Sequence, residues 1–265
     1  MGSTTRQALA ASRAALDAAA GSLGLAQADE LLAAGRVMGE SAQLRSVLSD
    51  ASTDKETKVG AMRAVLGSSV SAAVLEILGT AVSHRWSNDD DLLAAIEELG
   101  IRAAAASAPD GSDIEGELFA FGRAVTSDAE LELALSSKLG SAASKAQLVD
   151  RLLAGKVSEH ALVILRHLVQ QPRGRRINAL IRQATSIVAD ESDHAIATVT
   201  TAKPIAAAQL ERLRAALSAN YGRQLKVNQV IDPELIGGVR VQVGNDIIDG
   251  SVATRLHELR LQLAG

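Results

Sequence analysis

Cysteine is absent from this chain of 265 residues, and aromatic residues and proline are scarce. Without cysteine the protein has no disulfide framework, no thiolate metal site and no cysteine nucleophile. With one Trp, one Tyr and two Phe, its core must be built from Ala, Leu, Val and Ile, and four prolines leave room for long helices. No charge-free apolar run approaches the ~20 residues that cross a bilayer, and residues 1–6 do not resemble a signal peptide. We therefore expect a soluble protein of the cell interior.

Sequence motifs of enzymes are missing too, and the net charge of −4 argues against a strongly basic nucleic-acid-binding protein. Gly155-Lys156 is followed by Val157, so the phosphate-loop pattern fails. Gly237-Gly238 lacks the spacing of a dinucleotide-binding fingerprint. The chain has neither the H-E-x-x-H motif of zinc proteases nor the G-x-S-x-G motif of serine hydrolases. We expect no catalytic residue, no cofactor and no metal site.

Several charged or titratable side chains are interpreted as surface groups. The acids Glu97-Glu98 and Asp89-Asp90-Asp91 are typical of solvated helix faces and of helix starts. His160 and His167 are seven residues apart on one predicted helix. Without a nearby carboxylate, they are better explained as surface or rim residues than as metal ligands.

One cluster is basic, because Arg173, Arg175, Arg176 and Arg182 have no acid between them. These side chains could contact phosphates, form an exposed helix start or dock an acidic protein. No aromatic residue lies among them for base stacking, which disfavours single-stranded nucleic acid. A helical adaptor or a nucleic-acid-binding protein that uses the Arg173–Arg182 face therefore stays as the alternative function.

Helical periodicity extends from the N-terminus to about residue 190. Ser87-Asn88 before three aspartates predicts one helix start. Three capping boxes predict further helix starts: Thr53 with Glu56, Ser127 with Glu130, and Ser144 with Gln147. The small and turn-forming residues of segment 108–112 are typical of a linker.

An internal repeat joins the two sides of this linker. At an ungapped offset of 87 residues, apolar positions of one stretch coincide with apolar positions of the other. The pairs include Leu44 with Leu131, Leu48 with Leu135, Lys58 with Lys145, Leu66 with Leu153, Leu75 with Leu162, Leu78 with Leu165, and Val82 with Val169. Val70-Ser71 and Val157-Ser158 stand at a helix start in each copy, which favours a duplication over a chance alignment of Ala/Leu-rich helices. Each copy is predicted to be a helical hairpin.

The pattern changes near residue 194. Residues 195–201, 225–231 and 239–243 are rich in β-branched residues or alternate in polarity, which predicts strands. One helix ends near Tyr221-Gly222, and a last helix follows Gly250-Ser251. The predicted fold is mostly α with three parts: an N-terminal helical bundle at 1–108, a second helical unit at 113–190 that repeats about 41–85, and a small C-terminal α/β domain at 194–265.

The C-terminal segment carries a specific combination of motifs. Residues 231–241 read IDPELIGGVRV, residues 244–252 read GNDIIDGSV, and Arg255-Leu256 follow. This combination resembles the signature of the ATP synthase delta subunit, whose mitochondrial counterpart is the oligomycin-sensitivity-conferring protein. His84-Arg85-Trp86 is similar to the end of a helix in the family's helical domain. Because the helical part is longer than usual by about one repeat, the chain resembles the long delta subunits of high-GC Gram-positive bacteria.

The resemblance implies a non-catalytic stator subunit of the proton-translocating ATP synthase. Such a subunit lies on the cytoplasmic face of the bacterial cell membrane and is held there only through the complex. Its helical bundle is implied to bind the N-terminal helices of the alpha subunits in the catalytic head. Its α/β domain is implied to bind the b subunit of the peripheral stalk. No nucleic acid is expected as a partner.

Positions that match the family's contacts are the candidate site residues. The candidates for the alpha-subunit contact are Ala11, Ala14, Leu75, Leu78 and Val82. The candidates for the b-subunit contact are Leu256, Leu259 and Leu263. Core packing is the competing role for both sets. Gly237, Gly238, Asp249 and Gly250 are expected to form structural turns and to make no contact with a partner.

Overall fold

A computed structural model describes residues 2–109, 111–137, 140–192, 194–221, 224–233, 235, 237–243 and 246–249. The chain divides into two compact units, Met1–Val188 and Ala189–Gly265. The first unit is helical, and the second contains a sheet, as the sequence predicts for a mostly α protein with a small C-terminal α/β domain. The predicted fold class is therefore confirmed.

The helices up to residue 191 follow one another with short connections. Their bounds are α1 Ser3–Ala19, α2 Leu25–Glu40, α3 Ala42–Ser49, α4 Lys55–Leu66, α5 Ala72–Ser83, α6 Asp89–Ala106, α7 Ile114–Ser127, α8 Ala129–Ser136, α9 Ala142–Leu153, α10 Glu159–Gln170 and α11 Ile177–Glu191. Most connections are a few residues long, so successive helices can pack on each other with little loss of chain entropy.

Short polar side chains begin several of these helices. Asn88 caps α6, as predicted, and its side-chain oxygen accepts a hydrogen bond from the Asp91 N–H at 2.7 Å. The three predicted capping boxes are misplaced, because the structure caps α4 with Asp54, α8 with Asp128 and α9 with Ser141. Thr53 lies outside α4, and its hydroxyl donates to Asp50. At the first two starts an aspartate carboxylate replaces the predicted hydroxyl, because its negative charge suits the positive end of a helix better.

The helix bounds repeat at the predicted offset. Shifted by 87 residues, the bounds of α3, α4 and α5 coincide with those of α8, α9 and α10. The aligned stretch of each copy holds three helices, not the predicted hairpin, because two turns interrupt it. A long-range hydrogen bond also recurs: Glu30 accepts from the Ser71 N–H at 2.7 Å, and Glu117 accepts from the Ser158 N–H at 2.9 Å.

Helix α6 takes part in both copies. Shifted by the same offset, α1 falls on residues 90–106 of α6, and α6 falls on residues 176–193, which include α11. The helical unit can thus be described as two overlapping sets of six helices, α1–α6 and α6–α11. Helix α6 packs against α1, α2, α3, α5 and α10, and 12 of its 18 residues are buried. The buried core continues from the first set into the second, and the predicted domain boundary at 108–113 stays a prediction.

The second unit contains a four-stranded sheet with the order β2-β1-β3-β4. Its elements are β1 His194–Thr201, α12 Ala207–Tyr221, β2 Gln224–Ile231, β3 Val239–Val243 and β4 Asp246–Asp249. Strand β1 pairs in parallel with β2 and antiparallel with β3, which pairs antiparallel with β4. Helix α12 is the crossover between the two parallel strands and packs on β2. The small core includes Val199, Leu217 and Val241.

Candidate functional site

The predicted alpha-subunit contact falls on α1 and α5, which pack side by side. Ala14 is exposed, and Ala11 and Leu75 are half-buried, so these three side chains reach the surface. Leu78 and Val82 are 0% exposed and belong to the core of the helical unit. A fully buried side chain presents no area to a partner, so the surface of α1 and α5 is represented by Ala11, Ala14 and Leu75.

The internal repeat supports the core role of the two buried residues. Their counterparts in the second copy, Leu165 and Val169, are 0% and 1% exposed. The same apolar residue type buried at the same place in both copies is the pattern of core packing. The competing role that the sequence left open therefore applies to Leu78 and Val82.

Helix α6 carries two buried acids, and one of them, Glu98, contacts α1. Glu97 and Glu98 are 3% and 7% exposed, so their interpretation as a solvated face is wrong. His167 is 1% exposed, and its interpretation as a surface or rim residue is wrong as well. Glu97 and His167 belong to one buried ionic network and Glu98 to a neighbouring cluster, because a charge is retained in a protein interior only where cations and hydrogen-bond donors satisfy it.

Glu97 is the centre of that network. Arg175 donates from its two terminal nitrogens to the two carboxylate oxygens of Glu97, at 2.9 and 2.8 Å. Arg173 Nη2 lies 3.1 Å from Oε2 of Glu97, and His167 Nε2 lies 3.4 Å from the same oxygen. Arg36 on α2 lies on the other side of the imidazole, with its Nη1 3.0 Å from His167 Nδ1. The network therefore ties α2, α6, α10 and the connection to α11 together.

The protonation states follow from these contacts. Burial alone would raise the pKa of Glu97, but hydrogen bonds from His167 and Arg175 and the charges of Arg173 and Arg175 hold that pKa at about 2. Burial, together with the charges of Arg36 and Arg173, lowers the pKa of His167 despite the neighbouring carboxylate. An ionised Glu97 beside a neutral imidazole fits both directions, with Nδ1 of His167 accepting from Arg36 and Nε2 donating to Glu97.

Glu98 forms a second cluster next to the first. Its Oε1 accepts hydrogen bonds from Arg13 Nε on α1 at 2.7 Å and from Arg102 Nε on α6 at 2.8 Å. Arg13 also forms an ion pair with the same carboxylate through Nη2. One buried acid thus fixes α1 to α6, and its neighbour Glu97 fixes α6 to α10 and to the connection before α11.

The basic cluster of the sequence is divided by this network. Arg173 and Arg175 are turned toward Glu97, whereas Arg176 and Arg182 are exposed. The acid that neutralises the first two lies 76 or more residues away along the chain, which is why the local sequence shows only positive charge. Two exposed guanidinium groups remain of the four that the alternative function would use.

Sequence reasoning missed Glu97, Glu98 and His167, although a signal was present. Residues 92–104 are apolar at nearly every position around the helix, and a helix that is apolar all round is buried all round. Acids in such a helix are therefore expected inside, each with a cation. Only its distant position in the chain hides the partner Arg175.

The predicted turn residues lie in the second unit. Gly237 and Gly238 have φ values of 67° and 86° just before β3, a backbone region that other residues rarely adopt. Asp249 is the last residue of β4. Gly250, Leu256, Leu259 and Leu263 lie outside the described residues.

The described part of the chain has no group of three or more His, Asp or Glu side chains arranged to hold a metal ion. No helix in that part is long and apolar enough to cross a membrane. What the described residues offer is a helical unit held by buried ionic contacts, with Ala11, Ala14 and Leu75 reaching the surface of α1 and α5.

Comparison with known proteins identifies the family. The family model "ATP synthase delta (OSCP) subunit" matches residues 101–263. The match begins within α6, so helices α1 to α5 lie outside it. An ATP synthase subunit delta of Leifsonia xyli is 56% identical over 265 residues, covering 100% of both chains. An ATP synthase subunit delta of Streptomyces griseus is 38% identical over 271 residues, again covering 100% of both.

Among solved structures, a chain of the Toxoplasma gondii mitochondrial ATP synthase hexamer is similar, with a TM-score of 0.39 and 24% identity. The match covers 64% of this chain and 97% of that one. The family model matches more than half of the chain, and the two bacterial relatives match it from end to end. This chain belongs to the ATP synthase delta (OSCP) subunit family.

Proposed function

We propose that the chain is a non-catalytic stator subunit of a proton-translocating F-type ATP synthase. The observation that carries the proposal is the end-to-end match, at 56% identity, to an ATP synthase subunit delta. In such an enzyme a rotating shaft drives the catalytic head, and the head experiences an equal and opposite torque. A connection between the head and a static stalk is needed to resist it. The subunit would act at the cytoplasmic face of the cell membrane, held there only by its protein partners.

The helical unit has the mechanical character that this role needs. Side-chain contacts of the Glu97 and Glu98 clusters join four helices and one connection into a single body. Ionic contacts to a buried carboxylate are geometrically demanding, because each donor must keep its acceptor. A helical unit held in this way resists distortion when a partner pulls on it.

We place the contact with the head on the surface of α1 and α5. Ala11, Ala14 and Leu75 provide small and apolar area there, and short side chains allow a partner helix to approach closely. The partner proposed is the N-terminal helix of an alpha subunit, docked through apolar residues spaced at i, i+3, i+4 and i+7. Leu78 and Val82 support this surface from beneath.

Replacing Ala14 by arginine tests the contact. Ala14 is exposed, so Ala14→Arg should leave the fold intact while placing a long charged side chain where the partner helix lies. We expect the affinity for the purified catalytic head, measured by surface plasmon resonance, to fall roughly tenfold or more, which corresponds to about 1.4 kcal/mol. Ala64→Arg is the matched control, because Ala64 is exposed on α4. Equal affinities of the two variants, both folded by circular dichroism, would remove the contact from this surface.

We place the contact with the b subunit in the C-terminal segment, with Leu256, Leu259 and Leu263 as the apolar residues that carry it. Deleting residues 252–265 should abolish capture of the b subunit and spare capture of the head. Capture by a tagged protein from detergent-solubilised membranes, followed by mass spectrometry, measures both. Retention of the b subunit by the truncated chain would refute the assignment. Loss of both partners would point to misfolding, which the circular dichroism spectrum of the variant would reveal.

The alternative function, an adaptor or nucleic-acid-binding protein that uses the Arg173–Arg182 face, has lost two of its four arginines. A nucleic-acid-binding face needs free cations, and Arg173 and Arg175 are engaged with Glu97. No specific observation favours the alternative over a stator subunit.

A further inference from the structure

A cleft of about 830 Å³ lies where helices of the two overlapping sets meet. It is lined by residues of α2, α3 and the start of α6, together with residues of the start of α9, the end of α10 and the connection to α11. Cavities of roughly 300–1,000 Å³ are typical of sites for small molecules. The proposed contacts with the alpha and b subunits use none of the lining residues, so the cleft is a separate candidate site.

Two arginines of the cleft have hydrogen-bond donors to spare. Arg45 on α3 has a buried Nε with no hydrogen-bond partner among the described residues, and its nearest carboxylate, Asp89, is 3.9 Å away. Arg173 donates from Nη1 to the Asp90 carbonyl at 3.3 Å. Its Nε and Nη2 are buried and make no hydrogen bond within the described part of the chain, although Nη2 lies 3.1 Å from Glu97. Unpaired buried donors are rare in proteins, and each calls for an explanation.

The backbone at Arg173 is strained. Its φ of 47° is the one positive value at a non-glycine residue within the described ranges. Residues other than glycine pay for this conformation, and they are found in it most often at binding and catalytic sites. The strain and the spare donors thus coincide at one residue of the cleft.

The internal repeat shows that the fold does not require either arginine. At the offset of 87 residues, Arg45 on α3 corresponds to Glu132 on α8, and Arg173 corresponds to Trp86. Trp86 is buried, and its Nε1 donates to the Ala81 carbonyl at 2.8 Å. An acid and an indole therefore serve at the equivalent places, which favours binding over packing as the role of the two arginines.

Other groups of the cleft narrow the chemistry of a ligand. Ala142 and Ala143 are the first residues of α9, where N–H groups without an intrahelical acceptor favour an anion. Gln170 has a buried Oε1 without a hydrogen-bond partner in the described residues, so a donor on the ligand could reach an acceptor. Glu40 and Asp90 also line the cleft and are exposed. Their charges would repel a ligand with several negative groups.

A single phosphate group fits this lining better than a carboxylate or a polyphosphate. Its tetrahedral oxygens accept hydrogen bonds from several directions, as donors on α3, on α9 and after α10 require. A polyphosphate would bring more negative charge between Glu40 and Asp90. Hydroxyl groups on the same molecule would supply the donor for Gln170.

We propose that the cleft binds a small phosphate monoester that carries hydroxyl groups, such as a sugar phosphate. Arg45, Arg173 and the start of α9 hold the phosphate, and Gln170 accepts from a hydroxyl. This inference goes beyond the proposed function and does not rest on it. Since the cleft joins α2 and α3 to α9 and α10, the ligand should also raise the melting temperature of the chain.

Titration calorimetry of the full-length chain with glucose 6-phosphate tests the inference. We expect one site with a Kd of about 1 mM or lower. Arg45→Glu should weaken binding about tenfold or more, because it reverses a charge beside the phosphate. The variant should fold, since glutamate is the residue at the equivalent place of α8. Arg63→Glu is the matched control, because Arg63 is exposed on α4 and outside the cleft, and it should bind as the parent does.

Inorganic phosphate and glucose serve as the two partial probes. We expect inorganic phosphate to bind more weakly than glucose 6-phosphate and glucose not to bind. Equal affinities of inorganic phosphate and the ester would overturn the monoester in favour of a site for free phosphate. Unchanged affinity in both Arg45→Glu and the neutral variant Arg45→Gln would place the ligand elsewhere and overturn the inference. Absence of any heat or shift of the melting temperature at 10-fold the expected Kd would overturn it as well.

Discussion

Replacing Glu97 by alanine is expected to destabilise the helical unit by about 3–5 kcal/mol, because it removes one partner of a buried ionic network and leaves the others without compensation. Arg175 loses its bidentate acceptor, and Arg173 loses its only ion-pair partner among the described contacts. Urea unfolding followed by circular dichroism measures the change as a shift of the midpoint at constant slope.

A matched control separates the network from the loss of a glutamate as such. Glu76 is exposed on α5, so Glu76→Ala should change the free energy of unfolding by no more than about 0.5 kcal/mol. A loss of less than 1 kcal/mol in Glu97→Ala would mean that the arginines reach water when the acid is removed. The network would then contribute little to rigidity.

We also expect the destabilisation caused by Glu97→Ala to depend on pH. The pKa of Glu97 is about 2 in the folded chain against an ordinary value of 4.5. A lowered pKa adds stability that is complete above the unfolded value and is lost as the pH falls toward the folded value. A difference of this size corresponds to about 3 kcal/mol. The gap in unfolding free energy between the parent and Glu97→Ala should therefore narrow between pH 5 and pH 2. A gap that stays constant over this range would contradict the low pKa.

The sequence predicts the order of elements well, because local patterns determine them. The strand at His194–Thr201 and the helix that ends at Tyr221 occur as predicted, since β-branched alternation and helical spacing are properties of neighbouring residues. The offset of the repeat is also read from local patterns, and it relates the bounds of α3, α4 and α5 to those of α8, α9 and α10.

What the sequence could not show is which face of each helix packs against a neighbour and which face stays at the surface. Leu78 and Ala14 look equally suited to a partner helix, and only the packed structure shows that one is core and the other is surface. Glu97 and Arg175 are 78 residues apart, so their pairing cannot be read from a local window. The double role of α6 is likewise a property of the assembled bundle.

Gly100 is expected to favour the close approach of α2 to α6, because a larger residue there would meet the Leu32 side chain. A Cβ atom at this position would lie 2.5 Å from Cδ2 and 2.6 Å from Cγ of Leu32. Leu32 is 0% exposed, so its branched carbon has no room to move away. Gly100→Ala should gain about 1 kcal/mol from helix propensity. It should lose about 1–3 kcal/mol to overpacking, so we expect a net destabilisation of about 1–2 kcal/mol.

Gly60 provides a control for which we expect alanine to change the stability in the opposite direction. It lies in the interior of α4, is exposed, and has no atom within 4 Å of an added Cβ. Gly60→Ala should therefore stabilise the chain by about 0.5–1 kcal/mol, because only the propensity applies there. Urea unfolding of both variants shows whether each change raises or lowers the free energy of unfolding.

A double variant identifies Leu32 as the cause of the clash. In Leu32→Ala the obstructing side chain is gone, so adding Gly100→Ala to it should cost less than the same change costs in the parent chain. Such coupling between two contacting residues is expected to be on the order of 0.5–3 kcal/mol. Simple additivity would mean that α2 does not lie against Gly100.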